Sequence, residues 1–255
     1  MRRVLKISMR KQKQAMNTKY DYEQPKPNYV RYDRPVPITE NHRKYHNLLK
    51  DPNKNIVVCD GIAGTGKTCS AVYFATPSVL RGRAEGIYFV RANEGIGKDI
   101  GYTKGSDFEK LLPILKQLCN YAESFFNDSI YNLVDSKQVI LQSLHRLQGM
   151  DLTGYILVVD EAQLITPEAM YCILTRGAEK IILIGDCKPE QCVNRSIRVG
   201  KDGLSYLMHY LGDLSSVGIA SMDSEEDIVR KGYMKDIVRK LTGSLSEWNS
   251  SGGVQ

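Results

Sequence analysis

The stretch Gly61-Ile62-Ala63-Gly64-Thr65-Gly66-Lys67-Thr68 has the pattern G-x-x-x-x-G-K-T. It follows the apolar run 55–60, which predicts a β-strand, and it precedes residues 69–75, which predict the opening of a buried helix. A strand, a glycine-rich turn and a helix N-terminus form a concavity in which backbone N–H groups converge on phosphate. Lys67 adds a positive charge for the β- and γ-phosphates, and Thr68 adds a hydroxyl for Mg²⁺. We therefore predict that residues 61–68 bind a nucleoside triphosphate, rather than forming an ordinary glycine turn.

The bulk composition limits the classes of protein to which this chain can belong. Its 255 residues suit one α/β domain with an extension, and a hydrophobic content of 42% is enough for a large core. No apolar run is as long as a membrane-spanning segment. The N-terminal residues are basic, but the apolar stretch among them is too short for a secretory signal. The six cysteines show no paired metal spacing, so we expect a reducing cytoplasm, no structural zinc and no membrane contact.

Positive charge is concentrated near the N-terminus. Residues 1–50 contain 13 Lys and Arg against 4 Asp and Glu, a net charge of +9. The remaining 205 residues contain 22 against 25, a net charge of −3. Residues 1–35 contain three prolines and have no helical or strand periodicity. We therefore predict that residues 1–35 form an extended basic arm that binds a polyanion.

Four tyrosines of the arm alternate with basic residues, and these are Tyr20, Tyr22, Tyr29 and Tyr32. Aromatic rings interleaved with cations can stack on bases while the cations neutralise phosphates. The alternative interpretation is that the rings pack on the protein's own core or on a neighbouring subunit. Nothing in the arm specifies a particular base.

Residues 36–241 are predicted to form the P-loop domain, and the Ser/Gly-rich residues 242–255 a flexible tail. Five apolar segments predict strands, and these are 55–60, 86–91, 155–159, 180–184 and 215–220. Helical patterns cover 40–50, the segment after residue 66, 108–126, 167–175 and 224–241. The alternation predicts an α/β fold with a mostly parallel sheet of about five strands flanked by helices.

Several helix boundaries can be predicted from single residues. Thr39 and Thr166 are candidate N-caps, and Pro77 predicts a kink or restart in the helix that follows the P-loop. Gly232 is expected to break the last helical region, and residues 127–137 to form an irregular connection.

A pair of carboxylates follows the third predicted strand, in the order Asp160-Glu161-Ala162-Gln163. Asp160 can hold Mg²⁺ opposite Thr68. Glu161 points in a different direction, so it can orient an attacking water or accept its proton. We count Gln163 with Glu161 and Lys67 among the catalytic candidates.

The next predicted strand ends at Gly185-Asp186, and Gln191 follows. We interpret Asp186 and Gln191 as candidates for sensing the γ-phosphate and its water. Hydrolysis also needs a cation for the charge of the transition state. Our candidate is Arg230 in the last helical region, acting within the chain or across a subunit boundary; a solvated helix residue is the alternative.

Residues 92–106 form a loop rich in glycine and charge after the second predicted strand. Ligand contacts gather in loops at strand ends of open α/β sheets. Arg91, Lys98 and Lys104 are our candidates for nucleic-acid contacts.

Taken in order, these stretches resemble the PhoH-like ATPases, which are P-loop proteins related to the RecA-like core of superfamily 1 helicases. The likeness rests on residues 61–68, on 89–91 with 100–102, on 159–163, and on 185–186 with 203–204 and 227–230. Together they span about Ile38 to Lys240. A compact chain of this kind is similar to members carried by bacteriophages.

The resemblance implies a RecA-like P-loop fold, ATP as the nucleotide, hydrolysis as the reaction and Mg²⁺ as the cofactor. It also implies a single-stranded nucleic-acid partner, with RNA favoured, a homo-oligomer that can be a ring, and a location in the cytoplasm, which is the host's if the chain is phage-encoded. By position it assigns Mg²⁺ to Thr68 and Asp160, the catalytic carboxylate to Glu161 and the arginine role to Arg230.

Three positions depart from the family pattern. His42 stands where relatives have a glutamine that contacts adenine, so His42 is our candidate for that contact. Gln148-Gly149-Met150 replaces a basic stretch before the carboxylate strand. Gln191 lies two residues further from Asp186 than the corresponding glutamine of relatives.

Two other classes of function share the same loop. A small-molecule kinase needs arginines in a lid over the acceptor, and Arg81 and Arg83 are the close pair in a suitable loop. A nucleotide-controlled scaffold would use the arm to dock a partner, and hydrolysis would only return the scaffold to its starting state. A GTPase is disfavoured because the sequence has no Asn-Lys-x-Asp segment.

Overall fold

A computed structural model describes residues 30–92, 107–188, 197, 200–230, 232–241, 244, 247 and 248. The elements below belong to one compact unit, Arg31–Gln255. Its described strands are β1 (Ile56–Gly61), β2 (Gly86–Arg91), β3 (Val139–Leu141), β4 (Tyr155–Asp160), β5 (Lys180–Gly185) and β6 (Val217–Met222). Its described helices are α1 (Glu40–Lys50), α2 (Lys67–Leu80), α3 (Asp107–Leu111), α4 (Lys116–Phe126), α5 (Ile130–Asp135), α6 (Pro167–Leu174), α7 (Gly203–Leu211) and α8 (Gly232–Leu241).

The six strands form one parallel sheet in the order β3-β2-β4-β5-β1-β6. The predicted RecA-like P-loop α/β class is therefore confirmed, with one strand more than expected. In this order β5 lies between β1, which leads into the P-loop, and β4, which ends at Asp160. The carboxyl ends of β1, β5 and β4 thus lie side by side at one edge of the sheet, where open α/β sheets bind ligands.

Both faces of the sheet are covered by apolar side chains. Ile156 and Val158 of β4 pack in the same cluster as α1, α2, α4 and α5. Leu157 and Val159 pack on the other face, against α6 and α7. This alternation follows from the two-residue period of a strand, and it explains why β4 has an unbroken apolar sequence.

The predicted helices differ from the structure at two prolines. α2 continues through Pro77 to Leu80, so the predicted restart at Pro77 does not occur. The pattern over 108–126 is not one helix but α3 and α4, with Pro113 in the break between them. Proline has no N–H to donate and disfavours helical backbone in the residue before it.

Several elements were missed or displaced. The connection 127–137 contains α5, and the short β3 follows it. α7 was missed although Asp202 caps it, accepting from the Ser205 N–H at 2.9 Å. β6 begins two residues later than predicted, at Val217. None of the helices in the described ranges is long and apolar enough to cross a membrane.

Two glycines allow α7 to approach the sheet edge closely. A Cβ at Gly185 would lie 2.7 Å from Leu204 Cδ2, and a Cβ at Gly203 would lie 2.8 Å from both Met170 Cβ and the Thr166 carbonyl oxygen. Real Cβ atoms do not approach other atoms so closely, so the carboxyl end of β5 and the start of α7 depend on these glycines.

We predict that Gly203→Ala destabilises the fold, because the new methyl group meets backbone atoms that cannot move aside. The expected loss is about 1–3 kcal/mol of unfolding free energy, measured by urea denaturation. Gly232→Ala is the matched control, since Gly232 also begins a helix but has no neighbour within 4 Å of the added Cβ. Equal midpoints for Gly203→Ala and Gly232→Ala would contradict the close approach.

Candidate active site

The P-loop begins where β1 ends and closes at the start of α2. Gly64 and Gly66 have φ angles of 87° and 79°, a left-handed backbone that glycine adopts without strain. The Ile62 N–H donates to the Met222 carbonyl at 3.0 Å, which joins the loop to the end of β6. A Cβ at Gly61 would lie 2.5 Å from that same carbonyl oxygen, so the join requires glycine there.

The start of α2 and Lys67 provide the positive end of the site. Gly66 is the N-cap of α2 and has no side chain with which to bond the first N–H groups of the helix. Such N–H groups are a binding site for anions. The Lys67 ammonium donates to the carbonyl oxygens of Gly61 at 2.5 Å and Ile62 at 2.8 Å, which places its charge inside the loop.

Thr68 and Asp160 face each other across the edge of the sheet. The Thr68 hydroxyl donates to Asp160 Oδ1 at 3.3 Å. Asp160 is only 8% exposed, and burial raises the pKa of its carboxyl group, with a further rise from the neighbouring Glu161 charge. A buried carboxylate next to a hydroxyl favours a divalent cation.

These two oxygen donors fit Mg²⁺, which binds few protein groups and completes its octahedron with phosphate oxygens and water. Within the described ranges, no three His, Cys, Asp or Glu side chains form a metal cluster of their own. The magnesium predicted for Thr68 and Asp160 would therefore depend on the nucleotide for further ligands.

Glu161 has different hydrogen-bond partners from Asp160. Its backbone has φ 56°, a left-handed conformation that is uncommon outside glycine and that Asn127 and Lys137 also adopt in this structure. One carboxylate oxygen accepts from the Arg91 guanidinium at 3.0 Å, and the other accepts from the Gln163 amide at 2.7 Å. Because Arg91 and Glu161 remain about one-third exposed, their ion pair is weak and exchangeable.

Gln163 acts through its neighbours in this arrangement. Gln163 is 1% exposed and is not among the residues that line the cavity, which favours a positioning role over the catalytic role that the sequence suggested. Its amide donates to Glu161, and its carbonyl oxygen accepts from the Asp186 N–H at 3.2 Å. This bridge fixes the end of β4 relative to the end of β5.

Asp186 lies at the carboxyl end of β5 and lines the same cavity as Lys67 and Glu161. Burial raises the pKa of its carboxyl group to about 6, and the N–H of Lys188 and the charge of Lys67 act in the opposite direction. A carboxyl group that titrates near neutral pH beside the P-loop suits its predicted role near the γ-phosphate.

His42 supports the P-loop from behind. Its side chain is 3% exposed, its Nε2 lies 3.0 Å from the Thr65 carbonyl oxygen, and its Nδ1 lies 2.7 Å from the Thr39 hydroxyl. Both ring nitrogens therefore have protein partners. His42 also lines the cavity described below, and the adenine contact stays a prediction.

Arg230 lies beside the P-loop of its own chain. It follows the 3₁₀ turn Glu225–Asp227 and precedes α8, so its predicted position on a helix was wrong. The Val229 N–H donates to the Gly64 carbonyl at 3.0 Å, and a Cβ at Gly64 would lie 3.2 Å from Arg230 Cδ. Arg230 is also one of the residues that line the cavity of its own chain.

These groups line a cavity of about 530 Å³. Lys67, Arg91 and Arg230 face Asp160, Glu161 and Asp186 at its phosphate end. Five residues of a strap, which we define as residues 32–38, also line the cavity, together with His42, His46, Gln117 and Tyr121; the five are Tyr32, Arg34, Pro35, Val36 and Ile38. A cavity of this size with one charged end suits a nucleotide.

The strap was not predicted to be part of the site. The Tyr32 ring packs edge-on against Tyr121 of α4 at 4.6 Å between centroids, and the Tyr32 N–H donates to the Ser124 hydroxyl at 2.7 Å. For Tyr32, packing on the protein's own core is therefore what the structure shows. No local pattern in the sequence pairs Tyr32 with a helix 89 positions later.

The remaining predicted contact residues either line the cavity or lie outside the described residues. Arg91, a candidate nucleic-acid contact, forms the ion pair with Glu161 and lines the nucleotide-sized cavity. Lys98, Lys104 and Gln191 lie outside the described residues, as do Tyr20, Tyr22 and Tyr29.

A sequence profile of the family described as "PhoH-like protein" matches residues 36–242. The chain belongs to the PhoH-like family. The resemblance inferred from the four groups of motifs is thereby confirmed.

Known relatives share the family at moderate identity. A PhoH-like protein of Synechocystis is 28% identical over 203 residues, which are 78% of this chain and 60% of that protein. Protein PhoH2 of Bacillus subtilis is 33% identical over 174 residues, which are 63% of this chain and 38% of that protein. A PhoH-like protein of Mycobacterium bovis is 29% identical over 205 residues, 79% and 56% of the two chains. The chain thus spans between 38% and 60% of the length of these relatives.

Among solved structures, the large terminase of a thermophilic bacteriophage aligns with a TM-score of 0.47 and 12% identity, over 81% of this chain and 50% of that one. This likeness is too distant to bear on function.

We predict that Asp186→Asn gains stability relative to the unmodified protein as pH rises. The folded-state pKa of Asp186 lies near 6 instead of 3.8, so the folded chain holds this proton more tightly than the unfolded chain. Protonated Asp186 therefore contributes to the free energy of unfolding. This contribution is complete below the pKa of the unfolded state and is lost as pH rises through the pKa of the folded state. Urea unfolding of both proteins at about pH 5 and about pH 7.5 measures the change. A difference in unfolding free energy that stays constant between these pH values would contradict it.

Proposed function

We propose that this chain is a Mg²⁺-dependent ATPase. The observation that carries the proposal is the division of labour after β4: Asp160 faces the Thr68 hydroxyl, whereas Glu161 faces Arg91 and Gln163. Hydrolysis of a phosphoanhydride needs one group to hold the metal and another to direct the water. Two adjacent carboxylates with different partners can perform both tasks.

Each residue of the site has a task in this proposal. The N–H groups at the start of α2 and the Lys67 ammonium hold the polyphosphate. Thr68 and Asp160 would hold Mg²⁺, which when bound neutralises charge on the β- and γ-phosphate oxygens. Glu161 orients the attacking water and takes its proton, and Asp186 lies where it can sense the γ-phosphate. Arg230 stabilises negative charge that builds up in the transition state.

We further propose that hydrolysis is coupled to single-stranded nucleic acid, with RNA favoured. Family membership and the net charge of +9 on residues 1–50 support this partner. Because Arg230 reaches the cavity of its own chain, a homo-oligomer or ring would serve movement along the strand and would not be needed to complete the site. The proposed location is the cytoplasm, which is the host's if a phage encodes the chain.

The position of two arginines disfavours the kinase alternative. Arg81 caps the C-terminal end of α2, and Arg83 follows it, whereas the P-loop lies at the other end of this 14-residue helix. A helix of that length spans about 21 Å. Neither arginine lines the cavity in the described part of the chain, so this pair is not placed to cover an acceptor.

We predict that Glu161→Gln binds ATP but does not hydrolyse it. The amide keeps the shape of the side chain but cannot accept a proton, and a positioned general base contributes roughly 10²–10⁴-fold in rate. Phosphate release measures turnover, and fluorescent nucleotide titration measures binding. Glu168→Gln, on the exposed first turn of α6, is the control and is expected to keep full activity. Turnover at the unmodified rate in Glu161→Gln would remove the role assigned to this carboxylate.

We predict that single-stranded RNA raises the rate of phosphate release and that added salt weakens the effect, because phosphate contacts release counterions. The double substitution Lys98→Ala with Lys104→Ala is expected to lower the stimulated rate. A rate that stays flat across several RNA and DNA strands would exclude coupling to nucleic acid, while leaving the ATPase activity itself intact.

A further inference from the structure

Two segments meet at the buried carboxylate of Asp227, which is 0% exposed. One segment is the start of α1, at Thr39 and Asn41. The other is the chain from Ser224 to Arg230. Each segment also bonds to the P-loop, through His42 and Val229 respectively. Asp227 does not line the cavity, so it lies outside the groups assigned above to nucleotide or metal.

The carboxylate of Asp227 is held by three donors. Oδ1 accepts from the Thr39 hydroxyl at 2.5 Å, and Oδ2 accepts from the Asn41 amide at 2.9 Å and from the Ser224 N–H at 3.1 Å. The imidazole of His42 lies 3.8 Å away. When a buried carboxylate is replaced, the donors that face it lose their acceptor. Removing such a carboxylate therefore costs free energy of folding.

The residues that follow Asp227 lie on the P-loop. Ile228 is buried, the Val229 N–H donates to the Gly64 carbonyl at 3.0 Å, and Val229 Cγ2 would lie 3.5 Å from a Cβ at Gly66. The side-chain carbons of Arg230 then run along Gly64. Because Arg230 follows only three positions after the fixed carboxylate, a shift of Asp227 is transmitted to the guanidinium in the cavity.

The same carboxylate also holds the start of α1, beside the strap. Thr39 follows directly after the strap, and His42 joins the start of α1 to the Thr65 carbonyl at 3.0 Å. Asp227 therefore connects the strap and α1 on one side with Gly64 and Arg230 on the other. Both sets of residues line the cavity, although Asp227 itself does not.

We propose that Asp227 is a positioning residue that holds the P-loop and Arg230 in register with the start of α1. Its effect on hydrolysis passes through Arg230, and in this respect the inference rests on the proposed function. Its effect on nucleotide binding passes through the contacts of Gly64 and Thr65 and does not depend on hydrolysis.

The chain provides a matched control for this proposal. The tetrapeptide Asp-Ile-Val-Arg at 227–230 recurs at 236–239. In the second copy Asp236 lies on the surface of α8, where it is 73% exposed and pairs weakly with Arg239 at 3.5 Å. Asp236→Asn thus makes the same chemical change before the same three residues, but at an exposed position.

The test compares Asp227→Asn, Asp236→Asn, Arg230→Ala and the double variant Asp227→Asn with Arg230→Ala. We expect Asp227→Asn to weaken binding of a fluorescent ADP analogue at least about fivefold and to lower kcat at least about tenfold, whereas Asp236→Asn changes neither. Because Asp227 acts on kcat through Arg230, the double variant is expected to lose no more than about threefold beyond Arg230→Ala alone.

Two results would overturn the proposal: ADP-analogue affinity at the unmodified level in Asp227→Asn, or losses in kcat that multiply in the double variant. If Asp227→Asn does not fold, as judged by circular dichroism, Asn41→Ala removes one of the three donors and is held to the same two criteria. A protein that releases no phosphate would refute the proposed function, and the binding comparison would still decide on Asp227.

Discussion

The structure depends on one geometric constraint: the carboxyl ends of β1, β5 and β4 lie side by side in a parallel sheet. That order brings the P-loop, Asp186 and the Asp160–Glu161 pair to a single edge. The glycine at 185 makes the arrangement possible, because any side chain there would collide with Leu204 and Gln163. Packing, and not the charged groups themselves, therefore sets the spacing of the site.

At this edge of the sheet, positively charged side chains are matched by an equal number of carboxyl groups. Lys67, Arg91 and Arg230 face three carboxyl groups around the cavity. Burial disfavours the ionised forms of Asp160 and Asp186 and raises the pKa of both. A polyphosphate with its metal would exchange these internal contacts for stronger charge-assisted ones. The proposed hydrolysis of ATP is thus supported both by the family to which the chain belongs and by the groups that line the cavity.

Much of the site could be predicted from the sequence because its motifs are local. The P-loop pattern and the carboxylates after β4 each lie within eight residues, and strand periodicity places both at strand ends. Long-range contacts left no such signal: Tyr32 with Tyr121, Arg91 with Glu161, and Asp227 with Thr39 join positions that only the fold brings together. The effect of proline was also misjudged, since α2 runs through Pro77, whereas the pattern over 108–126 is divided at Pro113.

The most direct test of the central claim is calorimetric titration of the unmodified chain with ATP in magnesium buffer, beside Lys67→Ala. The account predicts saturable binding to one site and its loss when the Lys67 ammonium is removed. Absence of measurable heat with the unmodified chain, or equal binding by Lys67→Ala, would contradict the assignment of residues 61–68 as the nucleotide site.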